Sequence, residues 1–169
     1  MKNIGILVAS VNKNMALALN IQEIITELEA KSEVINLVAL DLPMYTSIIE
    51  DEKGIPREVI ELATQLLTFD ALIIVSPEYN GSMPPILNNA IAWVSRVDDN
   101  FRAVFNQKFV ALASHSGGGG MRGNDAVRAM FTYIGANVLS REIINNYSKP
   151  YKKETVVSVV EEIITYGNL

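Results

Sequence analysis

Apolar positions along the chain follow two alternating patterns. Four short runs, at residues 4–9, 34–38, 71–75 and 109–113, are rich in Val, Ile and Leu and apolar at successive positions. Such runs predict strands covered on both faces. A weaker run at 137–141 predicts a fifth. Between the runs, apolar residues recur at spacings of three and four. Leu17, Ile21, Ile24, Ile25 and Leu28 form one stripe, and Val59, Ile60, Ala63, Leu66 and Leu67 a second. Ile86, Leu87, Ala90, Ile91 and Val94 form a third, and Val127, Met130, Phe131 and Ile134 a fourth. Val156, Val159, Val160, Ile163 and Ile164 form the last. Each stripe predicts one amphipathic helix. Pro56, Pro84 and Pro85 stand where the second and third helices begin, where a missing N–H costs little. Gly135 stands near the end of the fourth, a usual place for a left-handed cap.

The predicted order is therefore a strand and a helix, repeated five times. Strict alternation implies a parallel sheet with right-handed crossovers. Five strands in 169 residues suit an α/β, flavodoxin-like three-layer sandwich, a sheet of order 2-1-3-4-5 with helices on both faces. The length fits a single domain over residues 1–169. In such a sheet, ligands sit beyond the carboxyl ends of the strands where the strand order reverses, between the first and third strands.

Three loops face that crevice, and each follows an apolar strand. The first contains Ser10, Val11, Asn12, Lys13, Asn14 and Met15 and opens a helix. Unpaired N–H groups and the positive end of the helix dipole suit a phosphate there. Ser10, Asn12, Lys13 and Asn14 add side-chain donors, and Ser10 or Asn12 also reads as an ordinary helix cap. The second loop runs Ser76, Pro77, Glu78, Tyr79, Asn80, Gly81, Ser82, Met83. Asn80-Gly81 is a turn pair, and the Tyr79 ring beside backbone amides suits a flat ligand. The third holds Ser114, His115, Ser116 and four glycines, 117 to 120. Glycine lets a backbone approach a ligand closely. Gly118, Gly120 and Gly123, with Glu142 beyond, satisfy the spacing of a dinucleotide fingerprint. Four residues separate that match from the strand, and no second mononucleotide half follows, so it reads as coincidence.

Composition narrows the chemistry. The chain has no cysteine and one histidine, His115, which removes thiol nucleophiles, cysteine metal sites and multi-histidine metal sites. Nineteen acidic residues against fourteen basic ones give a net charge of −5, which argues against nucleic acid as a partner. No stretch approaches the roughly 20 apolar residues of a membrane span. Residues 1–3 lead straight into a strand pattern without the apolar core of a signal peptide. The expectation is a soluble cytoplasmic protein whose chemistry comes from something it binds.

The run SPEYNGSMPPILNNAIAWVSR, residues 76–96, resembles the signature of the NADPH-dependent FMN reductase family. Residues 9–13 stand where that family has its phosphate loop. Leu42, Pro43, Met44 and Tyr45 match its L-P-x-Y segment, and residues 114–120 match its glycine-rich loop. The resemblance implies non-covalently bound FMN, with NADPH or NADH as co-substrate. It implies a flavin, quinone or similar small-molecule electron acceptor, and a homodimer or homotetramer. Carried over by position, Ser10, Asn12 and Met15 would contact the FMN phosphate, with Lys13 and Asn14 beside them. Pro77, Glu78, Tyr79, Asn80 and Gly81 would line the ring and ribityl chain, and Ser114, His115, Ser116 and Gly117 would border the ring. Ala9, Asn12 and Met15 replace a common Gly, a basic residue, and Ser or Thr. Met44, Tyr45, Tyr79 and His115 are candidates to shape a second-substrate pocket. The helix starting near Gly120 would turn its positive end toward a reduced flavin. Two alternatives keep the same fold: an FMN electron carrier that does not oxidise NAD(P)H, and a flavin-free binding module.

Overall fold

The computed structural model describes residues 1–166. Five strands form one sheet: β1 (Asn3–Val8), β2 (Lys31–Asn36), β3 (Ala71–Val75), β4 (Phe109–His115) and β5 (Asn137–Asn145). Their order is β2-β1-β3-β4-β5 and every pairing is parallel. Six helices connect and cover them: α1 (Lys13–Glu27), α2 (Ser47–Lys53), α3 (Arg57–Leu67), α4 (Pro85–Val94), α5 (Met121–Tyr133) and α6 (Lys153–Tyr166). The register pairs Val8 with Asn36 and Val75, Val75 with Ala113, and His115 with Asn145. The strands therefore end together, and the loops leaving them share one edge.

Side-chain alternation divides the core between the two faces of the sheet. Ile4, Ile6, Val8, Ile73 and Val75 pack against Leu17, Ile21 and Ile25 of α1 and Val156, Val160 and Ile163 of α6. Leu7, Leu72, Ile74, Val110 and Leu112 pack against α3, α4 and α5 through Val59, Leu66, Ala90, Trp93, Val127 and Phe131. Gly5 lies on the second face, where a Cβ would run into the Phe69 ring. Lys108, ahead of β4, turns its Nζ onto the Leu66 and Phe69 carbonyls at the end of α3, and burial holds its pKa below the usual lysine value.

Three elements differ most from the sequence expectation, while β4 runs two residues further than expected, to His115. β2 starts earlier, at Lys31, because it is an edge strand of mixed burial and its apolar run marks only the end that meets the core. The short helix α2 is additional, capped by the Thr46 hydroxyl, which accepts from the Ile49 N–H. β5 continues to Asn145, past a register irregularity: Val110 pairs with Val138, but Leu112 pairs with Glu142. That interval puts two extra residues into β5, a bulge of the kind that blunts an edge strand. Among the described residues, no helix is long and apolar enough to cross a membrane.

Candidate functional site

The strand order reverses between β1 and β3, and the loops beyond their ends form an open crevice of about 260 Å³. Residues 10–14, 77–79 and 115–117 line it, together with Tyr147. Three loops far apart in sequence thus meet where their parent strands end side by side.

The α1 side is built to leave donors free. Asn12 precedes the helix at φ 57°, ψ −114°, a conformation L side chains rarely take, and its side chain makes no cap bond. The first intrahelical bond runs from the Ala16 N–H to the Asn12 carbonyl, so the N–H groups of Lys13, Asn14 and Met15 have no acceptor among the described residues. No acidic residue lies in the first turn to offset the positive end of the dipole. Ser10 makes only a long bond to the neighbouring Val11 carbonyl, 3.4 Å.

Asn14 has a different task. It is buried, and its amide brackets His115: Nδ2 donates to the His115 carbonyl at 3.0 Å, and Oδ1 accepts from the His115 N–H at 2.9 Å. This fastens α1 to the end of β4, across β3. Met15 turns inward and packs on the apolar core beside α1. Ala9 is buried in the opposite core and bonds the end of β3 through its N–H. Of the three departures from the family's phosphate loop, only Asn12 lines the crevice.

The middle loop spends its polar groups on the chain. The Glu78 N–H donates to Ser116 Oγ at 2.7 Å, and Ser116 Oγ lies 3.1 Å from the buried Ser114 hydroxyl. Glu78 Oε2 accepts from the Gly123 N–H at 3.2 Å, inside the first turn of α5. A carboxylate already faces this helix end, so its positive pole is partly answered within the protein. Asn80 and Gly81, both at positive φ, form the tight turn between Tyr79 and Ser82, which exchange two backbone bonds. Asn80 and Gly81 are exposed at the turn tip, outside the crevice lining, while Tyr79 lies within it.

The glycines divide into two kinds. Gly120 sits at φ 78° at the start of α5, and a Cβ there would strike the Ser114 side chain. A Cβ on Gly123 would press on the Glu78 backbone at 3.0 Å. Glu142 is occupied by Arg128 at 2.6 Å and Asn124 at 2.9 Å. The apparent dinucleotide fingerprint is thus explained by packing and an ion pair. Gly117 and Gly118 are the other kind: among the described residues, a Cβ on either meets nothing within 4 Å, and no acceptor takes their N–H groups. Nothing in the protein packing requires glycine at these two positions, which face open space beside the crevice.

A second groove, of about 490 Å³, is lined by Met44, Tyr45, Ser82, Met83, Pro85, Asn88, Asn89 and Ala92. Its wall is held by α4. Trp93 Nε1 and Asn89 Nδ2 both donate to the Pro43 carbonyl, at 2.7 and 3.0 Å, and Asn89 Oδ1 accepts from the Tyr45 N–H at 2.7 Å. Asn89 and Trp93 are four residues apart, hence on one face of the helix. The Tyr45 ring meets Trp93 edge-on at 5.0 Å. Its hydroxyl donates to Glu50, which also pairs with Arg96 at 2.9 Å. Arg96, then the Tyr45 hydroxyl, hold the Glu50 carboxyl below its usual pKa, and the bond to Glu50 raises that of Tyr45.

Sequence reasoning missed Asn145 and Tyr147. Both follow from β5 running past its expected end, and no local signal marked them. Asn145 Nδ2 bonds His115 Nδ1 at 2.9 Å, and the Tyr147 ring meets the imidazole edge-on at 5.5 Å.

Residues 2–148 match a family described as NADPH-dependent FMN reductase. A quinone reductase of Escherichia coli (strain K12) is 34% identical over 123 residues, covering 69% of this chain and 64% of that one. An NADPH:quinone oxidoreductase of Arabidopsis thaliana is 27% identical over 125 residues, covering 72% of this chain and 62% of that one. The matches thus span less than two thirds of these relatives' lengths. Among solved structures, the flavoenzyme NAD(P)H:(acceptor) oxidoreductase FerB of Paracoccus denitrificans superposes with a TM-score of 0.80. That likeness covers 99% of this chain and 98% of that one at 20% identity, and is a likeness of fold.

Proposed function

We propose a function from one premise: the chain belongs to the NADPH-dependent FMN reductase family. On this reading it is an NAD(P)H-dependent oxidoreductase that holds FMN non-covalently in the crevice and reduces a quinone, a flavin or a similar small acceptor. When bound, FMN supplies the two-electron chemistry, between NAD(P)H and the acceptor. The observation that carries the reading is the uncapped start of α1, with free N–H groups on Lys13, Asn14 and Met15, opening into the crevice at the strand-order reversal.

The residues present fit the group. A phosphate suits the α1 terminus, with Ser10, Asn12 and Lys13 beside it. The open backbone of Gly117 and Gly118 gives a flat ring close approach and two N–H donors. Pro77, Glu78 and Tyr79 form the facing wall. The chain's own work is to bind, orient and exclude water. Ser114 and Ser116 fix the Glu78 backbone, while Asn80 and Gly81 set the turn that presents Tyr79.

The rest of the reading is a homodimer or homotetramer of one-domain subunits in the cytoplasm, where reduced nicotinamide is available. Exposed Met44 in the second groove and Ile48 in the nearby helix α2, 62% and 66% accessible, support a covered face. The test is spectroscopic. Purified protein titrated with FMN should perturb the flavin absorbance and bind it more tightly than riboflavin. Anaerobic NADPH or NADH should bleach the bound flavin, and a quinone should restore it. Absence of flavin binding, or bound flavin that neither nicotinamide reduces, would overturn the reading. Light scattering that finds only monomers would remove the assembly.

A further inference from the structure

His115 is immobilised by its neighbours. Asn14 brackets its backbone with two bonds, the Ser116 N–H donates to the Asn145 carbonyl at 3.2 Å, and the Asn145 amide bonds the ring at Nδ1. The orientation of that amide is set elsewhere: Asn145 Oδ1 accepts from the Tyr151 N–H at 3.2 Å. Nδ2 is therefore the end that faces the imidazole, and an NH2 group only donates. Nδ1 must accept and carries no proton, so the ring proton sits on Nε2. Yet Nε2 is buried and has no hydrogen-bond partner among the described residues. An unpartnered buried donor is uncommon in native proteins because it forfeits its hydration with nothing in return.

We propose that Asn145 is a positioning residue that locks His115 in the Nε2–H tautomer, and that this N–H donates to an acceptor atom of the ligand in the crevice. His115 lines the crevice beside Ser10, Asn12, Tyr79, Ser116 and Gly117. Tyr147 is 78% exposed, its hydroxyl has no partner among the described residues, and its ring touches the imidazole by an edge. Tyr147 is the crevice residue in ring contact with the imidazole, so on this proposal it gives way as the ligand enters, whereas turning the imidazole itself breaks the Asn145 bond. The donor is thus held in place before the ligand arrives, which is the arrangement preorganised recognition requires. An imidazole free to flip would offer an acceptor as often as a donor.

The inference rests on FMN as the ligand of this crevice, and the test separates the two ideas. With one histidine in the chain, a nitrogen-15 correlation spectrum of the ring is unambiguous. In the flavin-free protein it should show one tautomer with the proton on Nε2, and Asn145→Leu should give a mixture. A mixture, or a proton on Nδ1, in the wild type overturns the lock. Saturating FMN should shift the Nε2 proton and slow its exchange with water. His115→Phe should weaken FMN binding about five- to tenfold, while His115→Gln, which keeps an N–H near the same place, should stay within about threefold. Circular dichroism on each variant checks that the fold survives. Riboflavin run in parallel identifies the acceptor: a loss confined to FMN points to the phosphate, and an equal loss points to the ring or ribityl chain. Wild-type FMN binding with an unmoved Nε2 proton, or with His115→Phe binding unaltered, overturns this inference alone. Failure of the wild type to bind FMN overturns the functional reading, and the ligand role of His115 with it.

Discussion

Two loops on the same edge of the sheet treat their polar groups in opposite ways. In residues 42–46 the Pro43 carbonyl takes two donors from α4, the Tyr45 N–H bonds Asn89, and the Tyr45 hydroxyl and ring reach Glu50 and Trp93. In residues 10–13 the one side-chain bond is long and local, and the helix that follows begins uncapped from a strained residue. The first loop is a wall, and its geometry is over-determined by the protein. The second keeps its donors unspent, which is sensible only where something else takes them up. Internal satisfaction is thus a physical criterion for telling a structural loop from a binding loop.

The largest effect should come from removing the anchor of the wall. Trp93→Ala empties a fully buried site and removes one of the two donors to the Pro43 carbonyl, with an expected loss of about 3–5 kcal/mol and a melting drop on the order of 10 °C. A drop of only a degree or two in a thermal melt would mean the wall is not held from α4. Asn89→Ala comes next. It strips the Tyr45 N–H of its acceptor and the Pro43 carbonyl of one of its two donors, at about 1–3 kcal/mol by urea unfolding. If Asn89→Ala proves neutral, the contrast between the loops loses its basis. Asn12→Gly should act in the other direction. Glycine accepts the positive φ, so stability should rise by about 1 kcal/mol while FMN affinity falls. Lower stability would show that the backbone at residue 12 is not strained.

The smallest effect concerns pH. The Glu50 carboxyl is held below its ordinary pKa by Arg96 and the Tyr45 hydroxyl, so its folded value lies under its unfolded one. Its contribution is complete above the unfolded carboxylate value and disappears as pH falls through the folded value. The melting difference between wild type and Glu50→Gln should therefore be present at neutral pH and close in acid. A difference that persists at the lowest pH would assign it to packing instead.

The fold was largely legible because parallel strands buried on both faces announce themselves as unbroken apolar runs. What escaped did so for physical reasons. α2 has seven residues and none buried, so no stripe marks it. β2 lies at an edge, and only its final turn toward the core is apolar. The three crevice loops were visible as polar segments after apolar strands. The division of labour within them was not: the sequence does not show that Asn14 serves the His115 backbone, that Met15 points inward, or that Glu78 answers α5. Asn145 and Tyr147 lay beyond reach because a bulge carries β5 past the point where its apolar pattern fades.

The Asn14 bracket on His115 also fixes a sequence of events during synthesis. Its two ends are 101 residues apart in the chain. A ribosome delivers the N-terminal loop long before its partner, and domains fold as units while the chain emerges. Until β4 has joined the sheet, Asn14 has nothing to hold and the floor of the crevice does not exist. The nascent chain therefore has no finished pocket until β4 has emerged and paired, and any small molecule that fills the crevice must enter a sheet already assembled.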